Sequence, residues 1–411
     1  MIALRRTVRS LVLAAALPAA LHVQAQEPAV PKKPWNELST SWIGLQLHIT
    51  AMTDGALFVQ DSESVAQVGD LPNEAQFRLD NFEVDGQLTA PFPWSFQVEA
   101  EYDGMDQSND QRGWSLSGLN VTIPVGKLFS VTVGNQSEGV TMERLANSYD
   151  LVFMERSTMS QALTTARSTG VRIQGAAVGG RMNWSAGWYN GWLTNDLSFE
   201  ESGNIVNGRV AGLPVDAKGG RRLLHLGAWG AYAEAQQGQA ISRSRPEVYE
   251  SPFFVDTSKF PAVSSTSFGA EFGAVEGPVT VAAEYTGIRS NAPQVGDPRF
   301  WAYYVQASWA ITGETRPYDH SCGCFGQLQP FRSLSFRHGG AGAFEVGARY
   351  SKIDLTSGAV DGGKFDRLSG ALSWFPTGAW RFEFNYGYGR LQRSGLEGRT
   401  HFYQLRLQWE I

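Results

Sequence analysis

Long apolar segments are missing from most of this sequence. After the first 25 residues, no segment reaches the roughly 18 uninterrupted apolar residues that a membrane-spanning helix requires. The sequence therefore excludes a helical membrane protein.

Cysteine is also scarce, with two residues in 411. Cys322 and Cys324 form one lone pair and the six histidines are scattered, whereas a structural zinc site takes four ligands. A disulfide across one intervening residue is expected to be strained, so a partner thiol and a bound metal stay open as alternatives. No cofactor and no metal centre are predicted.

Basic residues are outnumbered by acidic ones, 34 against 40, which gives a net charge of −6. The first 25 residues carry three arginines and no acid, so their removal takes the net charge to −9. Nucleic acid is excluded as a partner because phosphate backbones need basic surfaces.

Catalytic motifs are absent as well. The sequence has no Gly-Xaa-Ser-Xaa-Gly elbow, no phosphate-cradling loop and no His-Glu-Xaa-Xaa-His. We therefore predict a protein that is not an enzyme, with a barrel hydrolase as a less favoured alternative because spacing alone does not exclude one.

The N-terminus has the pattern of an export signal. Arginines 5, 6 and 9 precede an apolar core at 11–21 and a cleavage-type Val-Gln-Ala at 23–25. We predict a cleaved signal peptide at 1–25, a flexible periplasmic lead-in at 26–40, and one folded domain at 41–411.

The C-terminal stretch shows the dominant pattern of the chain. Tyr403, Leu405, Leu407, Trp409 and Ile411 alternate with polar residues, which is typical of a β-strand with one apolar and one wet face. Similar stretches of about ten residues recur along the chain, and this is the signature of a transmembrane β-barrel.

One strand indicates a water-filled interior. Glu99, Glu101 and Asp103 occupy one face, while the other face carries Trp94, Phe96, Val98, Ala100 and Tyr102. Unpaired buried charges are too costly for a dry core, so these acids favour a lumen over a sandwich.

The fold class predicted is all-β: a membrane-spanning, antiparallel, up-and-down barrel of about 16 strands with an inward-folded constriction loop. The predicted strands are 43–50, 75–88, 94–103, 111–124, 127–135, 168–178, 181–190, 203–213, 222–235, 266–276, 278–289, 299–312, 341–355, 364–376, 379–392 and 399–411. A shift of apolar parity between Leu79 and Phe82 predicts a β-bulge.

Connection lengths separate the two ends of the barrel. Short turns fall at one end, and the long segments 55–73, 136–167 and 236–265 fall at the other, as expected for periplasmic turns and external loops. Segment 313–340 is the exception, since it is long but falls at the short-turn end. Either it is an ordered excursion, or the strand count is off by one hairpin.

Six segments, in the correct order, resemble the phosphate-selective porin O and P family. They are 153–157 (FMERS), 170–173 (GVRI), 311–317 (ITGETRP), 342–351 (GAFEVGARYS), 372–376 (LSWFP) and 381–386 (RFEFNY). The similarity runs from about residue 41 to the end. It implies a sixteen-stranded barrel, a homotrimer, and an extracellular loop folded into each pore.

The resemblance places the constriction loop at 136–167. Its candidate functional residues are Glu143, Arg144, Tyr149, Asp150, Glu155, Arg156 and Arg167. Residues predicted by parity and position to line the pore are Arg78, Glu99, Glu101, Asp103, Arg172, Arg349, Arg381 and Arg406. Arginine suits anion guidance because it stays charged and binds oxyanions bidentately. The alternative is that these arginines pair with lumen acids and only hold the wall together.

The chain departs from the phosphate-specific members of the family. Those members place a lysine in the loop where this chain has Tyr149, and paired arginines where it has Arg78 and Leu79. We therefore expect an outer-membrane diffusion channel for small hydrophilic solutes, with a weak anion preference. A non-conducting barrel serving as an adhesin or scaffold is the alternative. The expected partners are outer-membrane lipid, two further copies of the chain, and small anions or other small solutes; the expected location is a Gram-negative-type outer membrane.

Overall fold

The computed structural model describes residues 35–89, 92–103, 113–164, 167–190 and 202–411. The barrel lies within a unit that spans Asn36–Ile411. The predicted signal peptide at 1–25 and most of the predicted lead-in lie outside the described residues.

Sixteen long strands make up the wall in the described part of the chain. They are β1 Ile43–Gln60, β2 Glu74–Leu88, β3 Ser95–Asp103, β4 Gly113–Val125, β5 Phe129–Ser137, β6 Arg167–Ala177, β7 Met182–Asn190, β8 Ser202–Ala217, β9 Arg222–Ala235, β10 Ser264–Glu276, β11 Val279–Asn291, β12 Arg299–Ala310, β13 Ala343–Ser357, β14 Val360–Thr377, β15 Trp380–Arg393 and β16 Leu396–Glu410.

Each strand pairs antiparallel with the next along the chain, and the sheet closes when β16 pairs with β1. The closing register runs from Thr50 opposite Glu410 to Gln60 opposite Thr400. Closure removes the unpaired edges that an open sheet would expose. The predicted fold, a sixteen-stranded up-and-down barrel, is confirmed.

Side chains alternate along each strand, which gives the barrel an apolar outer face and a polar inner face. On β16, Leu405 is 60% exposed on the outside, whereas its neighbours Gln404 and Arg406 are buried inside. Trp188 and Trp309 are likewise exposed on the outer face. A lipid environment explains this outer face, since so many large apolar side chains would not face water around a soluble barrel.

The predicted bulge is present on β2. Thr50 pairs with Asn81 and Ala51 pairs with Leu79, so that Asp80 is the extra residue. The bulge changes which parity faces inward, and it therefore turns both Arg78 and Asn81 toward the lumen, where both are buried.

Two predictions near the N-terminus are wrong. Strand β1 continues to Gln60, although a loop was predicted from residue 55, because ladders to both β2 and β16 hold Asp54 and Gly55 in the sheet. Glu37–Ser39, inside the predicted flexible lead-in, forms a short strand paired with β1.

The remaining elements belong to connections. The helices are Ser62–Val68, Met142–Leu145 and Thr158–Ala162, and the 3-10 turns are Ser148–Asp150, Val178–Gly180, Gln236–Gly238 and Pro293–Val295. Short strands pair Gln239–Ala240 with Phe260–Pro261, Arg243–Ser244 with Val255–Asp256, and Tyr318–Asp319 with Cys324–Phe325. Within the described residues, no helix has the length and apolar character needed to cross a membrane.

Three long connections contribute residues to the interior of the barrel. We name residues 138–166, between β5 and β6, the constriction loop, and residues 236–263, between β9 and β10, the outer loop. Residues 311–342, between β12 and β13, are the inner loop. The strand order puts the first two at one end and the inner loop at the other, so the long excursion at the short-turn end is real and the strand count was correct.

The outer face yields a testable prediction. Replacing Leu405 by arginine should destabilise the barrel by about 2–4 kcal/mol if the residue lies near the bilayer midplane. Ser115, exposed on the inner face of β4, is the matched control, and an arginine there should cost little because it meets water. Urea titration of both variants in lipid vesicles measures the difference, and equal costs would contradict the assignment of faces.

Candidate functional site

The open part of the lumen lies against one side of the wall. A cavity of about 1380 Å³, called here the lumen cavity, is lined by strands β1–β6 together with residues of the three long loops. The opposite side of the barrel interior, along β9–β16, is covered by those same loops. The site is therefore an off-centre cavity between a strand wall and the constriction loop.

Buried arginines on β13, β15 and β16 fasten the constriction loop. Arg381 donates to the backbone carbonyls of Leu151 at 2.8 Å and Val152 at 3.1 Å. Arg349 donates to the carbonyl of Glu155 at 2.8 Å. Arginine suits this role because one guanidinium offers several donors in a fixed plane.

The prediction that Arg349, Arg381 and Arg406 line the pore is therefore wrong. All three point inward, but they are only 2%, 1% and 3% exposed beneath the loop. Their parity was read correctly, yet parity does not reveal which inward residues a loop covers. The alternative, that such arginines hold the interior together, describes these three.

Glu143 is a second buried anchor and does not face the lumen cavity. Its carboxylate accepts hydrogen bonds from the Ser157 hydroxyl at 2.6 Å and from the Ser160 hydroxyl. It also pairs with Arg349 at 3.2 Å, and Arg349 in turn pairs with Glu247 of the outer loop at 3.0 Å. Glu143 thus closes the constriction loop on itself and joins it to the wall.

A cluster of five charged residues fixes the loop where it meets β1, β2 and β16. Arg406 binds both Asp54 oxygens at 2.7 Å and Glu155 at 2.8 Å. Arg78 binds the same Glu155 at 2.8 Å and Asp54 at 3.3 Å. Arg78 also pairs with Asp80 at 3.4 Å, so two cations meet three anions here, and the pairing offsets the cost of burying them.

Three arginines face the lumen cavity without a carboxylate partner among the described residues. We call Arg144, Arg156 and Arg172 the arginine face. Arg144 and Arg156 extend from the constriction loop and donate to the carbonyls of Ser160 and Ala146, both at 2.7 Å. Arg172, on β6, donates to the carbonyl of Ser137 at 3.1 Å.

The arginine face is positively charged, although the Glu143 and Glu138 carboxylates act on Arg144 in the opposite sense. Burial and the neighbouring Arg156 guanidinium lower the pKa of Arg144 to about 9. An anion entering the cavity would relieve this repulsion, because an opposite charge nearby favours the charged form of arginine. The face is thus suited to attract anions.

An acidic face lines the cavity on the neighbouring strands. It comprises Asp80, Asp85, Glu99 and Glu101 on β2 and β3. Arg167 meets it directly, because its guanidinium lies 2.6 Å from the Glu99 carboxylate. Asp103 ends β3 opposite Arg78 in the register, but its side chain lies outside the described residues.

Two predicted loop residues remain, Tyr149 and Asp150. Tyr149 lines the cavity, and its hydroxyl is 3.4 Å from the Asn81 amide. Burial raises the pKa of Asp150, and its backbone carbonyl accepts a hydrogen bond from Arg316 of the inner loop at 2.5 Å. Ser148 hydrogen-bonds to Asp80, so this tip of the constriction loop reaches the β2 wall.

The inner loop folds into the barrel and was not anticipated as part of the site. Its carbonyls at Cys322 and Gly323 accept from Arg209 at 2.9 and 3.0 Å, while Arg209 also holds Glu271 at 2.6 Å. Cys322 and Cys324 form a disulfide, with 5.4 Å between their Cα atoms, so neither sulfur is free for a partner thiol. Cys322 reaches the lumen cavity.

The outer loop is held by an apolar contact as well as by charge. Phe254 packs against Phe365 and Phe402, with ring centroids 5.4 and 5.7 Å away, although the last two residues lie on the inner faces of β14 and β16. Arg367 donates to the carbonyl of Glu247 at 3.1 Å. Large aromatics on an inward face were the available sequence signal that a loop covers this wall.

The outer loop also gives a pH prediction. Burial raises the pKa of the Glu250 carboxyl to about 7, and the Asp54 and Glu155 carboxylates add to the rise, whereas Arg78 opposes it. The folded state therefore binds this proton more tightly than the unfolded state does. The stability that the protonated Glu250 carboxyl contributes should be fully present below pH 4.5 and lost as the pH rises to about 7. Replacing Glu250 by glutamine should reduce the decrease of the free energy of unfolding with pH over that window. An unchanged pH dependence would contradict the assignment.

Comparison with known proteins agrees with this geometry. The sequence model of the family described as "Phosphate-selective porin O and P" matches residues 56–411. An uncharacterized protein of Caulobacter vibrioides is 30% identical over 269 residues, which cover 62% of this chain and 53% of that protein. The match thus spans about half the length of this curated relative.

Solved structures of outer-membrane proteins share the fold. The anion-selective porin from Comamonas acidovorans has a TM-score of 0.56 at 15% identity, and the match covers 90% of this chain and 100% of that one. OmpT of Vibrio cholerae in its trimer form has a TM-score of 0.53 at 11% identity, with 90% and 100% covered. With a closed barrel, an inward-folded loop after β5 and a family match across most of the chain, the protein belongs to the phosphate-selective porin O and P family.

Proposed function

We propose that the protein is a passive diffusion channel of the outer membrane for small hydrophilic solutes and ions. The observation that carries this proposal is the lumen cavity of about 1380 Å³, lined by charged side chains and bounded by a loop that is fastened to the opposite wall. Charged side chains along a water-filled lumen determine which ions enter a channel, so this lining supports conduction. No catalytic role and no cofactor are proposed.

The setting follows from the same features. The short-turn end faces the periplasm and the constriction and outer loops enter from outside, as in bacterial outer-membrane barrels. We propose that a cleaved signal at 1–25 directs export and that three copies assemble. The family membership and the trimer form of the similar Vibrio cholerae OmpT support this assembly.

The charge distribution supports a weak anion preference without strong phosphate selectivity. The arginine face attracts anions, but the acidic face on β2 and β3 lines the same cavity and weakens the positive field. Tyr149 adds no charge where phosphate-specific members carry lysine. Leu79, which replaces one of their paired arginines, adds none either, and it alternates with Phe77 on the outer face of β2. The solutes proposed are small anions and other small hydrophilic molecules.

Reversal potential tests this selectivity. In a KCl gradient, the purified protein should give a reversal potential whose sign indicates a preference for chloride. The potential should be small because both the arginine face and the acidic face act on each ion. Added phosphate should block chloride current only at high concentration. Block at sub-millimolar phosphate, or a strongly cation-selective potential, would contradict the proposal.

One observation favours a second candidate, a non-conducting barrel that acts as an adhesin or scaffold. Three loops enter the interior, and Arg316 joins the inner loop to the constriction loop through the Asp150 carbonyl. Swelling of liposomes in sugars of increasing size distinguishes the two functions. Swelling with the smallest sugars supports the channel, and its absence in vesicles with folded protein supports the plugged barrel.

A further inference from the structure

A short hairpin projects from the inner loop at the short-turn end of the barrel. We name residues 331–340 the rim hairpin. Its backbone closes through Ser335 and Gly340, whose N–H and carbonyl lie 3.0 Å apart. It is fixed to the barrel because the Leu334 N–H donates to the carbonyl of Pro376, at the end of β14, at 2.6 Å.

The rim hairpin exposes apolar side chains that nothing in the described structure covers. Phe336 is 97% exposed, Phe331 is 66% exposed and Leu334 is 37% exposed. Single exposed apolar residues are ordinary on protein surfaces, but two phenylalanines and a leucine grouped on one hairpin indicate a surface that is covered in its normal setting.

The hairpin adjoins the lipid-facing surface of the wall. Trp374 lies on the outer face of β14 and donates from Nε1 to the carbonyl of Ala341, just after the hairpin, at 2.8 Å. Its ring stacks on Phe344 and Phe382, with centroids 6.0 and 5.3 Å away. Aromatic side chains form girdles where a barrel meets the membrane–water interface, so we expect this aromatic cluster, and the hairpin beside it, at headgroup level.

The charge of the hairpin has one sign. It carries Arg332, Arg337 and His338, and no acidic residue occurs from His320 to Phe344. Within the described part of the chain, neither arginine pairs with a carboxylate. This combination of exposed aromatics and unpaired arginines matches an anionic phospholipid surface, where rings insert and guanidiniums bind phosphate.

We propose that the rim hairpin is a membrane anchor in the phospholipid leaflet at the short-turn end. Phe331, Leu334 and Phe336 insert among the acyl chains next to the barrel. Arg332 and Arg337 bind the phosphates of anionic phospholipid headgroups. This role is independent of conduction, since it requires only that the barrel spans a membrane, and it would hold the end of the inner loop in place.

Site-directed spin labelling tests the anchor. Phe336→Cys is labelled with a nitroxide in the full-length mature protein and reconstituted in vesicles of phosphatidylcholine and phosphatidylglycerol. The native cysteines are disulfide-bonded and do not react. Lys127→Cys, in the exposed turn between β4 and β5 at the same end, is the matched control. Relaxation by oxygen reports lipid contact, and relaxation by a nickel chelate reports water contact.

We expect oxygen to relax the label at position 336 more than the nickel chelate does. At position 127, the nickel chelate should relax the label more than oxygen does. Arg332→Gln combined with Arg337→Gln should reduce this difference in phosphatidylglycerol vesicles and leave it unchanged in pure phosphatidylcholine. Nickel accessibility at 336 equal to that at 127 would overturn the anchor. Protection from both reagents would also overturn it, because the hairpin would then be packed against protein, such as a second copy of the chain.

Discussion

Replacing Arg406 by methionine is expected to destabilise the barrel by about 3–5 kcal/mol, the usual cost of removing one partner from a buried ion pair. The variant keeps the apolar length of the side chain but loses bonds to both Asp54 oxygens, to Glu155 and to the Met154 carbonyl. Arg78 is then left to balance the carboxylates of Asp54, Asp80 and Glu155. The constriction loop should loosen at the same time, so conductance should rise and become noisier.

Urea unfolding of the variant in lipid vesicles, followed by tryptophan fluorescence, measures this loss. Arg390→Met is the control, since Arg390 pairs with Asp366 at 3.0 Å in an exposed position and should cost about 0–1 kcal/mol. Adding Asp54→Asn to Arg406→Met should restore part of the stability by removing an unpaired charge. A loss no greater than that of the control would contradict the structural role of the cluster.

The second large effect is expected on ion selectivity. Replacing Arg156 and Arg172 together by glutamine should change the sign of the reversal potential, from weakly anion-selective to cation-selective. The acidic face would then dominate the field in the lumen cavity, because the charges lining a passage decide which ions enter. Arg172 is a sound choice because it lies on a strand of the wall and forms one hydrogen bond with the Ser137 carbonyl.

The complementary variant sharpens the test of selectivity. Replacing Asp85 by asparagine and Glu101 by glutamine should increase anion selectivity, since both residues line the cavity on the opposing face. Arg390→Gln, which lies outside the cavity lining, should leave the potential unchanged. If both pairs of cavity substitutions shifted the potential in the same direction, the two-face description would be wrong.

The wall of the barrel was predictable from sequence because its physics is periodic. A strand with lipid on one side and water on the other alternates every residue, and β9 was predicted with the same bounds, Arg222–Ala235, that the structure shows. Even the bulge between Leu79 and Phe82 was visible, because it reverses the parity of apolar residues. The number of strands, and the end of the barrel at which each connection lies, followed from counting the strands along the chain.

The interior was less predictable because loops carry no such period. Parity shows that Arg381 points inward, but only the fold shows that the carbonyls of Leu151 and Val152 cover it. Asp54 was missed because a polar residue next to Gly55 resembles the start of a loop. The path of the inner loop, from Arg316 to the carbonyls bound by Arg209, depends on contacts between residues far apart in the chain.

A single-channel record in a planar lipid bilayer is the most direct test of the proposed function. Purified, folded protein should insert in discrete steps, each with an ohmic conductance, and the Arg406→Met variant should give larger and noisier steps. The variant serves as an internal control, because a contaminating channel would not respond to the substitution. A silent membrane containing correctly folded barrel would contradict the channel and favour the plugged barrel instead.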